Sequence, residues 1–264
     1  VTRATPPTLS LTTTVVIPVK DDADVLRRCL RALQLQTRTP DEIVVVDNAS
    51  SDESAAVGRE FGATVVRCDE PGIPAAASAG YDAATGDLIL RLDADCMPAQ
   101  SWVETVVAAF ADRPDVAAFT GGARFVDGPL PLRSSLAAAY LGGYAIAGVV
   151  VLGHLPLFGS NLAMRRDAWR RVRTAVHRHD RELHDDMDLA FHLGERFRIR
   201  YLPGAAMGIS MRPFADGVAF LRRVVRGIRT VVVHWPRDFA PIRWDRMLLR
   251  RLRRTARVRE GYER

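Results

Sequence analysis

Cysteine is scarce in this chain, and the three present, Cys29, Cys68 and Cys96, are odd in number and lack metal-ligand spacing. Neither a disulfide framework nor a cysteine-built zinc site is indicated, and a reducing, cytoplasmic setting is expected. Histidine is sparse as well: six residues, with no H-x-x-x-H pair beside an acid of the right spacing. Each reads as a structural hydrogen-bonding group, with His184 and His234 the two that could add a third ligand to a metal held elsewhere. The first ten residues hold no apolar run, so they do not read as a signal peptide and predict a loose tail. Internal repeats and low-complexity tracts are lacking too. What remains is 264 residues with 48% hydrophobic content, enough for one large domain or for a domain plus a small appendage.

Charge is unevenly spread. The net charge is +6, yet residues 212–264 hold 15 arginines against 5 acidic residues, which leaves residues 1–211 net acidic. A basic segment of this kind suits an anionic partner, and a membrane surface is favoured over nucleic acid. The other conspicuous stretch is 134–158, which carries no charged side chain and includes seventeen apolar residues from Leu136 to Leu152. That is near the lower limit for a bilayer span. It is expected to form a buried or membrane-facing hairpin.

Short β-branched runs at 13–17, 43–47, 64–67, 88–92 and 116–120 alternate with helical patterns at 23–35, 51–61, 74–84 and 99–111. Such alternation predicts an α/β fold with a parallel sheet. In open parallel sheets ligands bind beyond the carboxyl ends of the strands. Here those positions are acidic: Lys20-Asp21-Asp22 after the first strand, Asp47 to Asp52 after the second, and Asp93-Ala94-Asp95 after the fourth. Carboxylates so grouped repel a diphosphate unless a cation intervenes. Asp93 and Asp95 lie on one side of an extended segment, so both can face a hard divalent ion, magnesium or manganese.

The segments "VVIPVKDDADVLRRCLRALQLQT", "PDEIVVVDNASSD", "GYDAATGDLILRLDADC", "GSNLAMRRDAW" and "HDDMDLAFHL" resemble, in order and spacing, the inverting family 2 glycosyltransferases. The resemblance implies a GT-A, Rossmann-like, mostly parallel sheet flanked by helices over residues 9–211, followed by a basic helical extension, 212–264. It implies a nucleotide-sugar donor, a divalent metal at Asp93 and Asp95, and a nucleoside pocket lined by Pro18, Asp22 and Asp47. It also implies that Asp186, in the run Asp185-Asp186-Met187-Asp188, is the general base of a single displacement, with Gly159-Ser160-Asn161 at the acceptor side. The helix that follows is expected to open with a Ser50-Ser51-Asp52 cap, Ser50 and Ser51 being better placed for that role than Asp47.

The chain departs from the family in two places. Ala76-Ala77-Ser78 stands where an Ala-Arg-Asn is common, so an expected diphosphate-facing arginine is missing. The late segment "FLRRVVRGIR" resembles the family's Q-x-x-R-W, with Arg223 and Arg226 at its polar positions and Gly227 in place of tryptophan. Arg226 is therefore the expected diphosphate contact, and a processive polymerase is disfavoured. The acceptor is open, with lipid-linked and glycan acceptors both allowed, and peripheral contact at the inner face of the membrane is expected. Two other classes compete: a nucleotidyltransferase, and a non-catalytic module binding a nucleotide-sugar or nucleic acid. The first needs a glycine-rich loop that "PVKDDADVL" lacks. Nucleic acid is not expected, because acids line the sheet edge.

Overall fold

The computed structural model describes residues 11–214 and 216–262; the tail expected over residues 1–10 lies outside them. The N-terminal half alternates strand and helix as the periodicity predicts: β1 (Thr13–Val19), α1 (Ala23–Gln34), β2 (Glu42–Asp47), α2 (Ser54–Glu60), β3 (Thr64–Arg67), α3 (Ile73–Ala83) and β4 (Leu88–Arg91). The short β5 (Met97–Pro98), α4 (Trp102–Asp112) and β6 (Val116–Phe125) follow. The remainder holds α5 (Arg133–Leu152), β7 (Leu162–Arg165), α6 (Arg166–Val172), α7 (Asp185–Arg196), β8 (Arg198–Ile209), α8 (Gly217–Val233) and α9 (Ala240–Tyr262).

All eight strands join one sheet in the order β3-β2-β1-β4-β7-β6-β8-β5. The pairs β3/β2, β2/β1, β1/β4 and β6/β8 are parallel, whereas β7 runs antiparallel to both neighbours and β5 antiparallel to β8. Val15, Ile17 and Leu90 point to one face and pack against α1 and α4. Val16, Val44, Val46 and Ile89 point to the other, against α3, α6 and α7. Strand alternation divides the apolar residues in this way, so both faces are covered and the central strands read as unbroken hydrophobic runs.

Small residues set the α3 layer. A Cβ on Gly80 would stand 2.4 Å from Val16 Cγ1, so this helix lies closer to the sheet than alanine would allow. The reversed strand β7 matters most for the site. Its register, Arg91 opposite Leu162, sets the residues just before β7 beside those just after β4.

The apolar stretch differs from the expected hairpin. It is one continuous helix, α5, ended by Gly153 in the left-handed region at φ 74°. Only Ala137, Gly148 and Leu152 are buried along it. Helical hydrogen bonds satisfy the backbone internally, so no turn is needed to keep so apolar a run regular. It is long and apolar enough to cross a membrane, by length and composition alone. The basic segment forms α8 and α9, which leave Leu221, Val225, Ile228, Leu248 and Leu252 more than half exposed.

Candidate active site

The loops after β1 and β2 are laced together by short polar side chains. Asp21 and Ala49 adopt φ of 50° and 54°, a region that costs energy for residues with a Cβ. Asp21 is held there because its Oδ1 accepts from the backbone N–H and the hydroxyl of Ser51, at 2.6 and 2.9 Å. Those bonds hold its carboxyl below the usual carboxylate range. Asp52 accepts from the Ala23 N–H and from Ser54, securing the starts of α1 and α2 at once. Of the Ser-Ser-Asp sequence expected to cap this helix, it is Asp52, two residues before the start of α2, whose side chain meets the Ser54 N–H. Asp47 is buried, and its Oδ1 accepts from the Ser50 N–H at 3.0 Å. Asn48, also buried, ties the end of β2 to the loop before α3 through Cys68 O, Glu70 O and the Gly72 N–H.

Pro18 and Asp22 lie at and just beyond the end of β1, in register with the end of β2 that carries Asp47. Asp22 is bound by Arg212, whose guanidinium also reaches Asp95, at 2.8 Å and 2.9 Å respectively. A single cation from the segment after β8 therefore bridges the first and third acidic clusters. Asp95 is pushed upward by burial and by its neighbour Asp93, with Arg212 pulling the other way. Its environment thus calls for positive charge.

Asp93 accepts from the Ser160 hydroxyl at 2.5 Å and from Arg91 at 3.0 Å. Arg91 is the unforeseen centre of the site. Its side chain is 3% exposed, and its second terminal nitrogen meets Asp185 at 2.6 Å. One buried guanidinium thus joins Asp93, just after β4, to the first turn of α7. Gly159 makes room for it, since a Cβ there would lie 2.3 Å from Arg91 Nη1. Burial pushes Asp185 up to about 6, against the pull of Arg91.

Asp186 follows at the start of α7. Its Oδ2 accepts from the Gly159 N–H at 2.9 Å and its Oδ1 from the Met187 N–H at 2.8 Å. The expected base and the expected metal ligand therefore hold adjacent residues of one turn, Asp186 on Gly159 and Asp93 on Ser160. Asn161, expected to face an acceptor, is committed elsewhere. It is buried, donating to Gly122 O and Ala205 O and accepting from Trp102 Nε1.

Of the expected residues, Asp22 and Asp95 are tied to each other through Arg212, Asp93 lies beside Asp95 and is held by Ser160 and Arg91, and Asp186 adjoins Asp93 through the Gly159–Ser160 turn. Arg226 is not brought to that cluster. It pairs with Glu182 at 3.4 Å, and Arg212 provides the cation next to Asp95 instead. His184 donates from Nε2 to Arg223 O, and His234 sits beside Asp188, so neither adds a ligand to Asp93 and Asp95. The potential ligand atoms grouped with them come from Cys96. A soft sulfur donor does not suit a hard divalent ion, which leaves the two carboxylates as the donor set. Two carboxylates of this kind fit a hard, oxygen-preferring divalent ion.

Comparison with known proteins places this arrangement. AglE, a glycosyltransferase of Haloferax volcanii, is 31% identical over 105 residues, 37% of this chain and 34% of that protein. The chain thus spans about a third of that relative's length. Among solved structures, the mannosyltransferase PcManGT from Pyrobaculum calidifontis, in complex with GDP-Man and Mn2+, superposes with a TM-score of 0.63 at 22% identity, covering 89% of this chain and 69% of that one. Glucosyl-3-phosphoglycerate synthase from Mycobacterium tuberculosis, with Mn2+, UDP-glucose and phosphoglyceric acid, gives 0.58 at 20% identity, over 84% of this chain and 79% of that one. These likenesses establish the GT-A type of α/β fold. Residues 14–173 match the model of glycosyl transferase family 2, a span that runs from β1 through α6 and carries both Asp93 and the Gly159–Ser160 turn, and the chain belongs to that family.

Proposed function

We propose that this protein transfers a sugar from a nucleotide-diphosphate donor to an acceptor hydroxyl by an inverting single displacement, with residues 9–211 as the catalytic unit. The observation that carries the reading is the shared turn: Asp186 and Asp93 hold neighbouring residues, Gly159 and Ser160. Nucleoside diphosphate sugars accompany both solved neighbours, GDP-Man in one and UDP-glucose in the other, which supports the donor class. Pro18, Asp22 and Asp47 line the nucleoside pocket, with the Asp47 carboxylate accepting from a base N–H. Asp93 and Asp95 would hold a divalent ion, magnesium or manganese, whose chemistry there is to offset charge on the departing diphosphate.

Asp186 takes the acceptor proton. Each of its oxygens accepts one backbone N–H, so a further lone pair remains on each for the acceptor hydroxyl. Those bonds fix the carboxylate before substrate arrives, and Arg91 fixes Asp185 beside it. Arg212 must release Asp22 or Asp95 when the donor binds, which makes it a candidate diphosphate contact alongside Arg226. The exposed apolar side chains of α5 and α8, with the basic residues of 212–264, support peripheral contact with the inner face of an anionic membrane and hence a lipid-linked acceptor.

The test is a donor screen with UDP-, TDP- and GDP-sugars, with and without manganese, run on the wild type and on Asp186→Asn. Donor hydrolysis or transfer should depend on the metal. The variant should bind donor normally yet transfer roughly a hundredfold more slowly or worse, the scale of losing a general base. Near wild-type transfer by Asp186→Asn would move the base to another carboxylate. A nucleotidyltransferase would instead consume a nucleoside triphosphate.

A further inference from the structure

Three histidines converge on one carboxylate oxygen away from the acids that face the donor. Asp188 Oδ1 lies 2.6 Å from His177 Nδ1, 3.2 Å from His234 Nε2 and 3.6 Å from His192 Nε2. All four potential ligand atoms fall within 4.8 Å of one another. They come from three places in the chain: the loop after α6, one face of α7, where Asp188 and His192 are one turn apart, and the residue that ends α8.

His177 Nδ1 is hydrogen-bonded to Asp188 Oδ1, but two of the ring nitrogens aimed at that oxygen have no hydrogen-bond partner. His234 is buried, and its Nδ1 pairs with Thr230 O at 2.7 Å, so Nδ1 carries a proton and Nε2 is the ring atom turned inward as a possible ligand. That Nε2 has no hydrogen-bond partner, although it is within ion-pair distance of Asp188, because the alignment is wrong for a bond. His192 Nε2 is buried and unpartnered in the same way. Leaving such atoms unpaired is costly.

The surroundings hold the rings in place. Phe191 stacks on His234 with centroids 3.9 Å apart and planes 10° from parallel. The Thr230 carbonyl fixes the tautomer of His234, the partnership that metal-bound histidines show at their outer nitrogen. The second Asp188 oxygen accepts from the His177 N–H at 2.8 Å.

We propose that His177, Asp188, His192 and His234 form a zinc site that clips the end of α8 to the catalytic domain. An ion about 2.0–2.1 Å from nitrogen and oxygen donors in a tetrahedron sets those donors roughly 3.3 Å apart, and the separations from Asp188 Oδ1 bracket that value. Three imidazoles and one carboxylate suit zinc rather than the hard ion expected at Asp93 and Asp95. The side chain of His177 is 38% exposed and gives the ion a way in. Since α8 also covers the start of α7, through Thr230 to the His184 N–H, the clip would steady the element that carries Asp186.

The test uses the tag-free full chain, stripped with chelator and titrated with zinc, with cobalt(II) as the spectroscopic probe. One zinc per chain should bind, cobalt should give the intense visible bands of a tetrahedral site, and hydrogen exchange over residues 217–234 should slow on zinc addition. His192→Ala and His234→Gln should each weaken zinc binding by about a hundredfold or more, since loss of an outer-shell partner alone costs 10–100-fold. Asp95→Ala should bind zinc as the wild type does. Should His234→Gln fail to fold, His192→Ala, whose ring lies partly open to solvent, carries the test. Zinc binding that survives His192→Ala, that follows Asp95 instead, or that is lacking altogether would overturn the proposal and leave a carboxylate held by three imidazoles alone.

Discussion

Substituting methionine for Arg91 removes the buried guanidinium that joins Asp93 to Asp185, and the two carboxylates should not suffer equally. Asp93 is 37% exposed on its side chain, so water can replace much of what Arg91 gives it. Asp185 is 15% exposed on its side chain and would be left without its counter-ion. Removing one member of a buried pair costs about 3–5 kcal/mol. The loss should also depend on pH. Burial already lifts Asp185 to about 6 against the pull of Arg91, and without that pull the carboxyl rises further. A folded-state value above that of the unfolded chain means that protonation favours the fold. The deficit is therefore small at acid pH and grows as pH rises through the folded value. Urea denaturation at pH 5 and pH 8 measures this, with a loss of about 3 kcal/mol expected at pH 8 and a clearly smaller one at pH 5. Arg91→Met combined with Asp185→Asn should recover part of the loss, because no buried charge is then stranded. A deficit below about 1 kcal/mol at pH 8, the scale of a surface pair, or one flat with pH, would refute the reasoning.

Asp95→Ala should abolish manganese-dependent binding of a nucleoside diphosphate while circular dichroism and melting stay near wild type, as befits a carboxylate that faces a ligand; undiminished manganese-dependent affinity, measured by calorimetry, would remove Asp95 from the metal site. The protein should sediment with anionic vesicles at low salt and detach as salt rises, since the screening length falls to about 8 Å at physiological ionic strength. Equal sedimentation with neutral vesicles would discard the electrostatic part of that attachment.

The donor half of the site was legible because its determinants are local. The β-branched runs before Lys20, Asp47 and Asp93 fix strands, and an open parallel sheet puts whatever follows them on one edge. The Asp185-Asp186 pair stood out as an acidic start to an amphipathic helix. Strands β7 and β8 were not foreseen: one is four residues long, and the other carries Pro203 and Gly204, whose φ of 84° accompanies an irregular register with β6. Arg91 read as an ordinary charge in a strand, since nothing nearby in sequence announces partners 2 and 94 residues away. The histidine cluster was hidden for the same reason. Only the four-residue spacing of Asp188 and His192 is a sequence signal, and the other two members arrive from separate elements. The single-helix form of the apolar stretch was missed because an alanine- and glycine-rich run fits a turn as well as a helix.

The reversed direction of β7 has a consequence for how this enzyme class can diversify. β6 leaves the sheet at the edge that carries Asp93 and β7 enters it at the same edge, so residues 126–158, α5 included, begin and end there, just short of the Gly159–Ser160 turn. That excursion works as a cassette: its length and composition can change while the register of Arg91 with Leu162, and with it the meeting of Asp93 and Ser160, stays fixed. Under the function proposed above, a different acceptor or attachment surface would need only this one insert to be exchanged, with Asp93 and Ser160 left in place.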